Sequence, residues 1–396
     1  MTILLKNCAI YGRGRADILV ENGMIVGTGS YEIADEVHDM SGYVHVLPGI
    51  IDAHIHIVTG PIEYNDISLK SWAQSGVTTV RDLGLGNDIH EHPTEEFLAY
   101  RTTVETPECA HCLTAGRFVT EFGGSNHIMP DAETGLGCKT VGGCVDAVNR
   151  QIDIGCDGIK TIMERGQMGP PKPVLSVEKL RAIADTARAR GVWCTAHVLD
   201  AGFVPDLLEA GIPAFAHMPV NRISDALLDR MVAQGVSVIP TLCTVNPPPP
   251  SEEEMAMFRP TNPDGSERKL PPMPEPSVSR EEQEKICLDN VGRFFRKGGL
   301  VALGTDTMRM ETRPGSAVMP IKEFQLLCQA GLSVSDVINA ATINAARVCG
   351  MEQQVGSIET GKQANIIAVK GEIDGTFEAL SRVEFVMNRG VVIRGA

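Results

Sequence analysis

The chain lacks any apolar run near the roughly 18 residues a membrane-spanning helix needs, so no membrane partner is expected. Its opening residues, Met1-Thr2-Ile3-Leu4-Leu5-Lys6-Asn7, lack the basic segment and cleavage site of an export signal, which makes the cytoplasm the expected location. A basic tract is missing too. Fifty acidic against 35 basic residues leave a formal charge of -15, so nothing is present to neutralise a phosphate backbone and nucleic acid is not an expected partner. The 11 cysteines are odd in number and scattered without a disulfide-like framework, which fits a reducing compartment and mostly small core roles. Cys109-Ala110-His111-Cys112 has C-x-x-C spacing, but positions three apart on a strand face opposite sides, and no second pair completes a four-sulfur site. Also absent, from Ile57 to Ile62, is the Gly-rich phosphate turn expected after the first strand of an open doubly wound sheet.

What is present is a repeating grammar. Residues 3 to about 46 alternate around turn signals such as Glu21-Asn22-Gly23, as β-hairpins do, and the same pattern returns in Ala364–Val369 and Val383–Ile393. These two terminal pieces are expected to share one small, sandwich-like sheet. Between them, apolar segments at 49–57, 77–83, 109–115, 158–163, 192–198, 214–218, 236–242 and 301–306 alternate with helical patterns. Strands alternating with helices imply parallel pairing, and eight such units favour a closed (β/α)8 barrel of the α/β class. The length of 396 residues accommodates both parts, since a barrel takes about 250. The expected division is 1–46 and 351–396 for the small β domain and 47–350 for the barrel. In the helix after the fourth strand, Leu180, Ile183, Ala184 and Ala187 share one face, with Glu178, Lys179, Arg181 and Arg188 outside. Two long insertions, the Gly-rich 116–144 and the Pro-rich 243–278, would overhang the barrel's C-terminal mouth and shape the substrate site.

The chemistry concentrates at strand ends. His54 and His56 close the apolar run Leu47–Ile55, and residues two apart on a strand share a face, so one cation could take both imidazoles. His197 and His217 fall late in their strands, where hydrogen-bonded core histidines are the competing reading. Lys160 stands inside an apolar strand, where an ammonium is costly unless paired, with Asp306 or Glu164 as candidate partners, or neutral. A neutral lysine can add carbon dioxide and become a carbamate, a two-oxygen anionic ligand. Asp306 ends the last strand as a candidate metal ligand and proton carrier, or alternatively a helix cap.

Together, Pro48–His56, Gly158-Ile159-Lys160, Gly304-Thr305-Asp306 and Gly356–Ile367 resemble the amidohydrolase superfamily, in particular its members with two metals bridged by a carboxylated lysine. Thr114-Ala115-Gly116-Arg117 with Gly123-Gly124-Ser125-Asn126-His127 resembles its imidazolonepropionase-like and prolidase-like branch. The resemblance implies two divalent ions, zinc foremost, with His54, His56 and Asp306 on one, His197 and His217 on the other, and a carbamate on Lys160 between them. It implies hydrolysis of an amide, cyclic amide or dipeptide-like small molecule by a metal-bridging hydroxide, Asp306 carrying the proton. His127, Arg165, Arg222 and Arg309 are candidate substrate contacts. Deamination, imidazolone-type ring opening and lactone or ester hydrolysis are the alternatives on the same site, and a catalytically silent scaffold is the alternative of another class. A homo-oligomer is expected.

Overall fold

The computed structural model describes residues 1–56, 63–84, 94–124, 135–166, 170–247, 278–307 and 319–395, with backbone alone for 63–67 and 135. The small sheet draws on both ends of the chain. Strands β1 (Thr2–Ile10), β2 (Gly14–Glu21) and β3 (Met24–Gly29) form antiparallel hairpins, and β4 (Glu36–Asp39) and β5 (His45–Pro48) lie parallel to β1. Their inward residues, Ile3, Leu5, Ile18, Val20 and Ile25, pack with Ile366, Ala368, Phe385 and Met387 from the far end of the sequence. The two turns that meet here demand glycine. Both Gly23 and Gly390 have left-handed φ (81° and 76°), and a Cβ on Gly390 would stand 2.4 Å from the Gly23 Cα.

The barrel follows. Strands β6 (Ile50–Ile55), β7 (Val77–Asp82) and β8 (His111–Thr114) pair in parallel. A second parallel run holds β9 (Phe118–Glu121), β10 (Gly135–Cys138), β11 (Gly158–Met163), β12 (Trp193–Val198), β13 (Ala214–Ala216), β14 (Ser237–Ile239) and β15 (Leu300–Val301) in the order β10-β9-β11-β12-β13-β14-β15. The ends close on each other through Ala53 N to Leu303 O at 3.0 Å, His56 N to Thr307 O at 2.8 Å and a parallel bridge between Ile55 and Thr307. Strands β16 (Ile366–Val369), β17 (Phe385–Asn388) and β18 (Val391–Arg394) then return to the small sheet, β16 antiparallel to β5.

One difference from the sequence expectation stands out. The insertion at 116–144 contains β9 and β10, whose four-residue length hides them among glycines; β9 is held to the barrel by the Thr161 hydroxyl donating to Val119 O at 2.8 Å. Of the insertion at 243–278, residues 248–277 lie outside the described residues. Among the described residues no helix is long and apolar enough to cross a membrane.

The helix Val177–Ala189 shows how the shell is built. Ser176 caps it by accepting from Lys179 N, and Leu180, Ile183, Ala184 and Ala187 are the buried face. Lys179 departs from the expected outward row: its ammonium reaches Glu121 at 2.6 and 2.7 Å, tying the helix to β9. Leu180 is fully buried, so Leu180→Ala should cost about 2–5 kcal/mol in denaturant unfolding. A loss below about 0.5 kcal/mol would mean that this helix does not seal the barrel wall.

Candidate metal centre

His54 and His56 lie at the C-terminal end of β6, and Asp306 lies beyond β15 across the barrel seam. One carboxylate oxygen, Asp306 Oδ1, is 3.1 Å from His54 Nε2 and 3.0 Å from His56 Nε2. Ligand atoms of these three residues all fall within 4.8 Å of one another. The close approach of the last strand to the first requires Gly304, where a Cβ would meet Ile239 Cγ2 at 2.3 Å and His54 Cβ at 2.7 Å. Behind the seam, buried Asp52 accepts from the backbone of His54 (3.2 Å) and of Thr305 (3.0 Å), and from the Thr305 hydroxyl (2.7 Å).

The remaining histidines stand alongside. The His217 ring is 4.9 Å from His54 and 4.4 Å from His197, centroid to centroid. His217 Nδ1 meets the Thr241 hydroxyl at 2.7 Å, and His56 Nδ1 meets Gly84 O at 2.8 Å; each contact fixes a ring orientation. His197 Nε2 is 3.0 Å from Glu164 Oε2, so Glu164 reaches a histidine rather than Lys160. Lys160 is 2% exposed on β11, which pairs in parallel with β12, the strand that carries His197.

Electrostatics separate acid from base. Burial pushes Lys160 from 10.5 down to about 7, Arg81 reinforcing the shift and Asp306 and Asp82 opposing it. Burial also takes His54 and His217 well below the ordinary imidazole value, so both keep a lone pair at neutral pH. For His56 burial acts the same way, but Asp306 and Asp82 outweigh it and the value rises. Asp306 resists burial through its His54, His56 and His217 neighbours and stays well below the usual carboxylate range.

Cations fit this donor set. Among the described residues neither ring nitrogen of buried His54 has a hydrogen-bond partner, yet its Nε2 sits against a carboxylate oxygen, which leaves two lone-pair donors converging on one point. His54, His56 and Asp306 could hold one ion, and His197, His217 and Lys160 adjoin them. Of the expected substrate contacts, His127 and Arg309 lie outside the described residues. Arg165 donates to Lys172 O at 3.4 Å beside the Phe203 ring, and Arg222 pairs with Asp289 at 2.7 Å. Sequence reasoning passed over Asp52, Asp82 and Thr241. Asp82 is fully buried at the end of β7, accepts from the Thr114 hydroxyl at 2.7 Å and lies 3.9 Å from His56 Nδ1. A carboxylate in an apolar strand was the available signal for both aspartates; nothing marked Thr241.

The model of the family described as "Amidohydrolase family" matches residues 45–395. An uncharacterised protein of Mycobacterium tuberculosis (strain ATCC 25618 / H37Rv) is 28% identical over 222 residues, and the chain spans 53% of that relative's length with 53% of its own. A 5-methylthioadenosine/S-adenosylhomocysteine deaminase of Moorella thermoacetica is 24% identical over 93% of this chain and 85% of that protein. Among solved structures, a Xaa-Pro dipeptidase with methionine bound in its active site shares the fold at TM-score 0.75 over 100% of both chains, with 22% identity.

Two outcomes test this geometry. Gly304→Ala should cost about 1–3 kcal/mol by overpacking, read from the denaturation midpoint; an unchanged midpoint would contradict the close approach of the seam. Lys160 stays neutral in the folded chain from about pH 7 upward, whereas the unfolded chain holds that proton to about 10.5. Stability of chelator-treated protein should therefore rise with pH between those values relative to Lys160→Met, and parallel curves for the two proteins would refute the shift.

Proposed function

The chain belongs to the amidohydrolase family, and on that premise we propose that it hydrolyses a carbon–nitrogen bond in a small N-acyl amino acid, dipeptide-like molecule or cyclic amide. The observation that carries this reading is the convergence of His54, His56 and Asp306 on a region within 4.8 Å, beside the rings of His217 and His197. Family membership supports carbon–nitrogen hydrolysis, and such enzymes usually bind metal. In this reading residues 47–350 are the catalytic unit and the terminal sheet is its support.

His54, His56 and Asp306 would hold one divalent ion, His197 and His217 a second, with Lys160 shared as a carbamate; zinc suits the imidazole-rich set. When bound, such ions supply Lewis acidity to a carbonyl oxygen and acidify a water molecule. Asp306, held ionised by its imidazole neighbours, accepts the nucleophile's proton on a carboxylate oxygen and returns it to the departing nitrogen. Lys160, near neutrality, has a lone pair on Nζ to add carbon dioxide, forming an N–C bond and releasing a proton. Glu164, against His197, and Thr241, on His217, hold those rings in place.

A second reading is deamination of a ring-bound amino group, favoured by the Moorella deaminase relative that aligns with 93% of this chain. A panel of N-acyl amino acids, dipeptides and cyclic amides, with ammonia release measured in parallel, separates the two.

Lys160→Ala should lose one of two metal ions by elemental analysis and most of the turnover, with partial rescue by a small added carboxylate. Full activity in a rigorously metal-free preparation would end the metallohydrolase reading, and unchanged stoichiometry in the variant would end the carbamate.

A further inference from the structure

We infer that Glu323 is a positioning residue for the centre: it clamps the turn after β14 and, through that turn, sets both the His217 ring and the Thr305–Asp306 corner. The inference rests on the metal-site reading above. Glu323 lies in the first turn of the helix Ile321–Gln329, is 1% exposed, and belongs to no strand of the barrel. Its two oxygens accept from consecutive backbone amides, Oε1 from Leu242 N at 3.0 Å and Oε2 from Cys243 N at 2.8 Å.

The residue just before that pair explains why the clamp is needed. Thr241 is β-branched, fully buried, and has φ 47°, a left-handed conformation that such residues adopt only when their surroundings impose it. Its hydroxyl is the 2.7 Å partner of His217 Nδ1, and His217 is itself left-handed at φ 70°. On the other side of the clamp, the Cys243 thiol donates to Thr305 O at 3.2 Å, the carbonyl immediately before Asp306. Asp306 is the third left-handed residue, at φ 55°, with its amide on His54 O at 2.6 Å. One carboxylate thus reaches one predicted metal ligand through Thr241 and another through Cys243.

The chemistry calls for a carboxylate. Two neighbouring N–H donors point at one side chain, and only a carboxylate offers two acceptors side by side. Burial pushes Glu323 up to about 7, opposed first by these two amides, so the group sits where the ionised carboxylate is expensive and its donors must hold it. Glu323→Gln keeps the volume but turns an NH2 toward one of the amides.

The test uses full-length protein reconstituted with cobalt(II), whose visible absorption reports ligand geometry. For Glu323→Gln we expect cooperative melting, shifted cobalt bands, and kcat at least about tenfold lower with KM within about twofold, as for other residues that orient metal-bound rings. Glu323→Asp, which keeps the charge and both acceptors, should recover the wild-type bands in part and serves as the assay should the glutamine variant fail to fold. In a double-mutant cycle, the kcat losses of Glu323→Gln and Thr241→Val should be less than additive, because part of the Glu323 effect passes through the same His217 ring, the remainder reaching Asp306 through Cys243. Melting temperatures that fall while the cobalt bands of both Glu323 variants match wild type would overturn the inference and leave Glu323 a structural residue. Wild-type protein that takes up no cobalt would instead overturn the metal reading on which it rests.

Discussion

Taking an aspartate carboxylate out of water costs several kcal/mol unless hydrogen bonds, an ion pair or a cation replace what solvent supplied, and the groups nearest Asp306 are two imidazole nitrogens, at 3.0 and 3.1 Å. Of the rings around it, His54 and His217 are kept neutral by burial, whereas His56 is moved toward protonation. An anion surrounded by lone pairs is a site short of positive charge. That shortage makes a divalent cation the natural complement of the arrangement, since Lys160, brought down to about 7 by the same burial, supplies only part of the missing charge at neutral pH.

The rigidity needed to hold such a cluster comes from backbone geometry at three strand ends. His217, Thr241 and Asp306 all adopt left-handed φ without being glycine, and each follows the end of its strand. The bends turn the chain abruptly at the rim. Gly304 allows the last of these corners to approach His54, and Asp52 ties the corner to the first strand through both backbone and side chain.

These bends also mark where the sequence stopped being readable. Apolar runs carrying a single polar residue revealed the parallel strands, because buried strands of a barrel cannot tolerate ordinary alternation. They did not show where the strands end: the runs at 214–218, 236–242 and 301–306 shrink to Ala214–Ala216, Ser237–Ile239 and Leu300–Val301, since hydrophobicity continues through the left-handed corners. Histidine and aspartate were legible as candidate ligands by their cost inside such runs. Thr241 and Glu323 were not, because a threonine suits any strand and a glutamate opening a helix looks like ordinary dipole compensation; their meaning depends on partners far along the chain.

Strand β5 leads straight into β6 and the histidines, and its neighbour on one side is β16, which lies more than 300 residues later. On a ribosome, the amino-terminal hairpins must therefore wait through synthesis of the entire barrel before their sheet can be completed. The β5 edge stays without that partner during this interval, and the strand that leads into the barrel is anchored on that side only after the barrel has been made.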